Sequence, residues 1–344
     1  MKFLSTTLLS LLILSTTASP LLTRGQQDKK PAACIVADAN PAEAAKPPKA
    51  AKPEKAAKPV QAPEPAQAGE ANDNVTATAG VLPDGRIAQD AVPEDFNVLA
   101  SAFKSAVVKG DGLVFSDIVA FPAVEQSLFD VATDTKAFSL SISDASIFIP
   151  QGGEADVLIR RADLLPSIAS TLDNIATTGQ KTIHFSFQQD AASPLNLTHD
   201  YQIAFLETAD FATHQFDVRV GAVVDAAAGS AGADGTNIVV NGNDKNPEGV
   251  QTLFSTPFTE GFQNFALSMD FDQNTIQVFH STANDPLVQV TEALPNDNSG
   301  NGEYHFAVLK NAVAGEQPPI AGTEAVVFGG IFMQDTSVDA VQLQ

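Results

Sequence analysis

Residues 181–190 read KTIHFSFQQD, and this short stretch decides the fold class. Apolar and polar side chains alternate strictly over six successive positions: Ile183, His184, Phe185, Ser186, Phe187 and Gln188. Successive side chains of an extended strand point to opposite faces of a sheet. The alternation therefore predicts a β-strand with one buried face and one polar face.

The same alternation recurs along the chain. The stretches that show it are DYQIAFLE (200–207), HQFDVRV (214–220) and NFALSMDFD (264–272), and two more candidate strands are EYHFAVLK (303–310) and AVVFGGIFM (325–333). In the first of these, Tyr201, Ile203 and Phe205 are expected on one face, opposite Asp200 and Gln202. Turn-rich pieces such as NGNDKNPEG and PNDNSGNG separate the stretches. Many short strands joined by polar turns predict an all-β fold, a jelly-roll β-sandwich.

Composition divides the chain into three parts. Residues 1–19 have a basic start, a short apolar run and small residues, which predicts a secretory signal peptide rather than a membrane span. Residues 20–80 repeat an Ala-Ala-Lys-Pro unit with few large apolar residues, which predicts a disordered linker. Residues 81–344 then form the folded domain. The protein is accordingly expected to be secreted and extracellular.

Charge and cysteine usage exclude several classes of function. The chain has a single cysteine, Cys34, so neither an internal disulfide nor a cysteine-based metal site can form. Residues 81–344 carry ten basic and 34 acidic residues, a formal charge of −24. Such a charge argues against nucleic acid or an anionic membrane as a partner, whereas a neutral polymer remains possible. No spacing of histidines and carboxylates requires a metal, no cofactor is indicated, and a monomer is expected.

The polar faces of three predicted strands carry an unusual set of side chains. They are Arg161, Asp163, His184, Ser186, Gln188, Asp200 and Gln202. If the three strands share one curved sheet, this set suits a neutral, hydroxyl-rich ligand, and two carboxylates are what glycoside hydrolysis requires. The alternation alone is also compatible with an ordinary solvated sheet face.

Several longer segments, in order, carry a resemblance to a known family. Among them are PDGRI (83–87), VKGDGLVFSDIVAFPAVEQSLFD (108–130), RRADLLP (160–166), PLNLTHDYQ (194–202), FLETADF (205–211) and NDNSGNGEYHFAVLK (296–310). In these the chain resembles glycoside hydrolase family 131, secreted fungal β-glucanases with a jelly-roll fold. The resemblance implies an open groove on the concave sheet and action on β-1,3-, β-1,6- or β-1,4-linked glucan.

The resemblance also implies a catalytic carboxylate pair. The family has glutamates in RRAEL and HEY motifs, and the matching positions here are Asp163 in RRADL and Asp200 in HDY. Aspartate shortens each side chain by one methylene, roughly 1.5 Å of reach. A misplacement of that size can reduce the rate on the order of a hundredfold.

Further residues complete the expected site. Arg161 and His184 are expected to position substrate or tune charge, Gln188 to bind substrate, and His305 lies in a YHF motif associated with the family's site region. Outside the site, His214 and His280 are expected to be surface residues. Asn74 and Asn196 stand in glycosylation sequons.

Aromatic composition and the two aspartates leave three functions open. The chain has no Trp and only two Tyr, so weak stacking of sugar rings is expected. The first reading is an active secreted β-glucanase. The second is a non-catalytic glucan-binding or cell-wall-associated protein on the same scaffold. The third, a polysaccharide lyase acting on uronates, would need a basic groove and fits the acidic domain poorly.

Overall fold

The computed structural model describes residues 81–98, 102–104, 108–150, 153–166, 175–222, 235–312, 317 and 319–344. The predicted signal peptide, the predicted linker and Asn74 lie outside the described residues.

Antiparallel strands dominate the described part of the chain. In chain order they are β1 (Val81–Asp84), β2 (Ile87–Ala88), β3 (Val119–Ala120), β4 (Thr135–Lys136), β5 (Phe138–Ile142), β6 (Ile159–Leu164), β7 (Gln180–Gln189), β8 (Asp200–Glu207), β9 (His214–Gly221), β10 (Asn237–Gly242), β11 (Thr252–Pro257), β12 (Gln263–Asp270), β13 (Thr275–Thr282), β14 (Val288–Gln289), β15 (Leu294–Pro295), β16 (Glu303–Asn311) and β17 (Glu324–Asp335). The described helices are short: α1 (Leu128–Val131) and two 3₁₀ helices, Pro93–Asn97 and Phe115–Asp117.

Two large sheets pack face to face. The nine-stranded sheet follows the order β14-β13-β12-β7-β17-β5-β3, with β1 beside β17 and β15 beside β13. The six-stranded sheet follows the order β11-β10-β9-β8-β16-β6, and β2 and β4 form a small separate pair. Every described pairing is antiparallel, and the chain crosses repeatedly between the sheets. The predicted all-β jelly-roll sandwich is confirmed.

The core lies between the two sheets. One buried cluster combines Ile183, Phe185 and Phe187 of β7 with Val218 and Val220 of β9. These residues belong to the alternating stretches, and their burial removes large apolar surfaces from water. None of the described helices is long and apolar enough to cross a membrane.

One departure from alternation occurs in β8. Ile203 and Ala204 both lie in the core cluster although they are consecutive, and Phe205 lies on the opposite face with Ala307 and Leu309. The pairings of β8 with β9 and with β16 both shift register in the step between Gln202 and Ala204. A β-bulge therefore reverses the two faces beyond this point. The expectation that Phe205 shares a face with Tyr201 and Ile203 is wrong for this reason.

Candidate active site

The outer face of the six-stranded sheet carries most of the predicted polar residues. Its side chains come from five strands: Arg161, Asp163, Asp200, Gln202, Phe205, Glu207, His214, Asp217, Arg219, Asn241, His305 and Asn311. Their chain neighbours, such as Ala162, Leu164 and Val218, are in the core. Strand alternation thus places these side chains on one side of the sandwich, together with the apolar cluster of Phe205, Ala307 and Leu309. We call this surface the polar sheet face.

Asp163 lies at one side of the polar sheet face, and both of its carboxylate oxygens accept hydrogen bonds. Arg161 donates from Nε to Oδ1 over 3.0 Å and from Nη2 to Oδ2. The Nδ1 atom of His305 lies 2.9 Å from Oδ2. Burial alone would raise the pKa of Asp163, but the Arg161 charge and the hydrogen bonds from His305 and Arg161 lower it below its usual value. Asp163 therefore stays ionised, although its side chain is 0% exposed.

Three rings are stacked beside Asp163. The ring centroids of His305 and Phe205 lie 4.5 Å apart, and those of Phe205 and His214 lie 4.4 Å apart. Glu207 faces both histidines, with 3.5 Å between its Oε2 and Nε2 of His305. Burial lowers the pKa of His214 to about 4, so this ring is neutral near pH 7. The bulge in β8 is what brings Phe205 into the stack.

Asp200 lies at the other side of the polar sheet face and is paired incompletely. Its Oδ2 accepts hydrogen bonds from Arg219 Nη1 at 2.8 Å and Asn311 Nδ2 at 3.2 Å, while its buried Oδ1 has no partner. Burial raises the pKa of Asp200 to about 6, and the charge of Asp217 adds to that rise, against the opposing effects of Arg219 and Asn311. The side chain of Asp200 is 0% exposed. It is a carboxyl group that gains a proton under mildly acidic conditions.

Arg219 links Asp200 to a second carboxylate, Asp217. The Nε of Arg219 donates to Asp217 Oδ1 over 3.1 Å, and Asn241 Nδ2 donates to the same oxygen over 3.1 Å. Since both carboxylates bind one guanidinium group, their nearest oxygens lie within about 8 Å of each other. Asp217 is 14% exposed, so it reaches solvent while Asp200 does not.

A cavity of about 340 Å³ lies over this second cluster. Its lining residues are Gln202, Phe211, Ala212, Thr213, His214, Asp217, Arg219, Asn241, Gly242, Asp244 and Val250. The size is within the range of small-molecule sites, and the lining mixes a few apolar groups with convergent polar ones. The buried Oε1 of Gln202 has no hydrogen-bond partner. An acceptor left in this state costs about 1–3 kcal/mol.

The comparison with protein families identifies this scaffold. Residues 81–338 match the family model described as the glycoside hydrolase 131 catalytic N-terminal domain. The chain belongs to glycoside hydrolase family 131. It is therefore of the glycoside hydrolase type, and the family resemblance read from the sequence is confirmed.

Two solved structures of family 131 have the same fold. The catalytic domain of a Podospora anserina β-glucanase is 18% identical, with a TM-score of 0.59, and the match covers 77% of this chain and 98% of that one. The catalytic domain of a Coprinopsis cinerea family 131 protein is 19% identical, with a TM-score of 0.58, covering 77% and 97%. No curated protein matches the chain.

The two aspartates at the family 131 motif positions share the polar sheet face but lie far apart. Asp163 pairs in register with Ala307, and Asp200 with Asn311, on opposite sides of β16. Two strand spacings and four residues along the strand separate their Cα atoms by about 16–17 Å. Even with both side chains leaning together, the carboxyl groups stay roughly 11 Å apart, beyond the upper limit of about 9.5 Å for an inverting pair. Their catalytic roles stay a prediction.

Two residues expected at the site lie elsewhere. His184 and Gln188 belong to β7 of the nine-stranded sheet, so they do not share a face with Asp163 and Asp200. His184 is fully buried beneath the C-terminal segment, stacked on Phe332 with centroids 4.3 Å apart. Its Nε2 lies 3.1 Å from the carbonyl oxygen of Gln342. Burial lowers its pKa to about 3. The expectation that His184 lines the same concave face is wrong, because alternation does not say to which sheet a strand belongs.

Arg161 and His305 do lie where the sequence predicted, on the polar sheet face. Both contact Asp163, and His305 is 3% exposed, so each holds a carboxylate in place. The expectation that His280 is a surface residue is wrong, whereas His214 lies on the outer face of the sheet with its side chain 23% exposed. His214 belongs to the ring stack, and His280 is buried with its Nε2 3.1 Å from Gln263 Oε1.

The sequence reasoning missed Asp217 and Arg219 as site residues. A signal for them existed, because both stand on the polar side of the alternating stretch HQFDVRV. Among the described residues, no group of three or more histidine, cysteine, aspartate or glutamate side chains is arranged to hold a metal ion.

Proposed function

We propose that this chain is a secreted glycoside hydrolase that cleaves β-1,3-, β-1,6- or β-1,4-linked glucan on the polar sheet face. The observation that carries the proposal is Asp200, a buried carboxyl group whose pKa is raised to about 6 beside a polar cavity. Glycoside hydrolysis requires a group that delivers a proton to the leaving oxygen, and a carboxyl with a raised pKa serves that role near neutral pH.

The reaction also needs a carboxylate that remains ionised. In our proposal Asp163 takes this part, as the family motif implies, and its low pKa supports it. The long separation between the two carboxyl groups excludes a retaining pair, and it lies nearer to the geometry of an inverting pair, in which a water molecule stands between base and sugar. Asp217 is the second candidate for this part, because it lines the cavity and shares Arg219 with Asp200.

A neutral polysaccharide is the substrate class that the charges favour. The cavity presents arginine, aspartate and amide groups together, which suit the many hydroxyl groups of a sugar chain. A folded part with a formal charge of −24 repels polyanions such as uronates. This charge disfavours the lyase reading.

One observation favours a different function, a glucan-binding protein without catalysis. The side chains of both Asp163 and Asp200 are 0% exposed, and each is bound by an arginine. Carboxylates held in this way stabilise a sheet face without touching a ligand.

The test is sugar release measured beside binding. The purified chain is incubated with soluble and insoluble β-1,3-, β-1,6- and β-1,4-glucans, and reducing ends are counted while pelleted polymer is assayed for bound protein. Release from one glucan class supports the hydrolase. Binding without release from any class supports the non-catalytic function.

Three variants assign the carboxylates. Asp200→Asn is expected to abolish release, and either Asp163→Asn or Asp217→Asn is expected to do the same. Asp272→Asn, on an exposed turn, is the matched control for the loss of one negative charge. Full activity of Asp200→Asn would remove this group from the mechanism.

Secretion and a monomeric state complete the proposal. The basis for secretion is the apolar run near the N-terminus, and N-terminal sequencing of protein from culture medium tests it. A start near residue 20 is the expected result. Light scattering on the same material tests the monomer.

A further inference from the structure

Phe211 is an exposed aromatic ring next to the cavity. It lies in the turn between β8 and β9 and is 80% exposed. Among the described residues it is the only aromatic side chain in the exposed class, since Tyr201 and Tyr304 are buried. The other described phenylalanine rings are buried or half-buried, so one exposed phenylalanine calls for a physical reason.

The backbone at Phe211 is strained, and hydrogen bonds within the turn keep it in this conformation. Its φ is 57°, in the left-handed region that residues other than glycine rarely occupy. The Phe211 amide donates to Thr208 O over 2.8 Å, and the Thr208 hydroxyl donates to Asp210 Oδ1 over 2.7 Å. The Thr208 amide donates to Thr213 O over 3.0 Å, and this hydrogen bond closes the turn. Local strain of this kind concentrates at ligand-binding positions.

The position of Phe211 shows which ligand the ring suits. It lines the cavity together with Gln202, Asn241 and Asp244, whose side chains are hydrogen-bonding groups. A β-glucosyl ring has apolar C–H faces and a rim of hydroxyl groups, so it needs an aromatic surface below and polar groups around it. A protein partner would require a much larger exposed apolar patch than one ring.

We propose that Phe211 is the stacking platform of a glucosyl-binding subsite, with Gln202 and Asn241 as its polar lining. This inference rests on the proposed function for its substrate class. In a chain that contains no Trp, the subsite takes up the role that larger aromatic residues would have in holding a sugar ring. The turn follows Glu207, at the opposite end of β8 from Asp200, so the subsite binds a unit of the glucan at a distance from Asp200.

The experiment compares Phe211→Ala, Phe211→Trp and Val338→Ala. Val338 is 75% exposed in the segment after β17 and serves as the matched control for loss of an exposed apolar side chain. Circular dichroism and thermal unfolding establish that all variants are folded. Binding is measured as retardation in native gels containing a soluble β-1,3-glucan or mixed-linkage β-glucan, and hydrolysis on β-gluco-oligosaccharides of two to six units.

Phe211→Ala is expected to weaken binding roughly two- to tenfold, the range for loss of one aromatic contact, and Phe211→Trp to keep or improve it. The loss should appear in KM for the longer oligosaccharides and vanish for the disaccharide, because only longer chains reach the subsite. A merely structural role would affect all lengths equally and would not be rescued by Trp.

The outcomes separate this inference from the proposed function. If Phe211→Ala binds and hydrolyses as Val338→Ala does, the subsite is refuted while the hydrolase stands. If the parent chain releases no sugar but is retarded by glucan, and Phe211→Ala is no longer retarded, the hydrolase proposal is refuted and the subsite is supported. A parent chain that is retarded by no glucan refutes the subsite.

Discussion

Replacing Asp200 by asparagine isolates the cost of burying its charge. The usual pKa of 3.8 is raised to about 6 in the folded protein, a difference of about two units. Each unit corresponds to about 1.36 kcal/mol, so ionisation of Asp200 weakens folding by about 3 kcal/mol when complete. Asparagine keeps the size of the side chain and cannot ionise. The free energy of unfolding of the variant therefore lacks this pH-dependent decrease.

The direction with pH follows from proton linkage. Below about pH 3.8 the carboxyl is protonated in both states and costs nothing. Between pH 3.8 and 6 the unfolded chain loses the proton first, so the stability of the parent falls as pH rises. Above about pH 7 the loss of stability is nearly complete. Relative to the parent, Asp200→Asn should gain about 2–2.5 kcal/mol between pH 4 and pH 7.

The assay is urea unfolding of parent, Asp200→Asn and Asp272→Asn at half-unit steps from pH 4 to pH 7. The change of the parent-to-variant difference with pH is the quantity to use, because any pH-independent loss of contacts in the variant adds the same offset at every pH. The attraction of the Arg219 charge is already contained in the pKa of Asp200. The free energy of unfolding of Asp272→Asn should change with pH in the same way as that of the parent. A parent-to-variant difference that stays constant across this range would refute the raised pKa, and with it the role of Asp200 as the proton donor.

Three further predictions follow from described contacts. Asp163→Asn leaves Arg161 buried without its carboxylate and weakens the contact to His305, so urea unfolding should show a loss of about 3–5 kcal/mol, and a loss below about 1 kcal/mol would contradict this. Phe211→Gly relieves the left-handed backbone strain and should raise the unfolding free energy by about 0.5–1 kcal/mol in thermal unfolding, whereas a loss of stability would show that the ring packs in the folded state. Asn196 is exposed, so protein from a eukaryotic host should lose mass at this site on enzymatic deglycosylation, and an unmodified Asn196 peptide would count against it.

The fold could be predicted because apolar and polar residues alternate along most strands. In β7, β9 and β12 the residues expected in the core are the ones that lie there. The prediction failed in β8 at Phe205, because a bulge changes the backbone without changing the pattern of residue types. No particular residue type indicates where the bulge adds a residue to the strand.

The site could be predicted only in part, because alternation assigns a face within a strand and not a sheet within the fold. His184 and Asp200 read alike in the sequence, yet they belong to different sheets. Asp217 and Arg219 read as ordinary polar positions of a strand. Their importance comes from the pairing of β9 with β8, which brings Arg219 against Asp200 and depends on contacts distant in sequence.

The β8 bulge also sets a rule for engineering this scaffold. Positions that reach the polar sheet face from β8 are 200, 202, 205 and 207, so a mutant library built on every second residue from Asp200 would randomise core positions at Ala204 and Leu206. Deleting Ile203 would remove the extra residue, and Phe205 and Glu207 would then stay on the polar sheet face in simple alternation with Asp200 and Gln202. With Ile203 in place, a protein engineer must count the variable positions of this strand separately on its two sides.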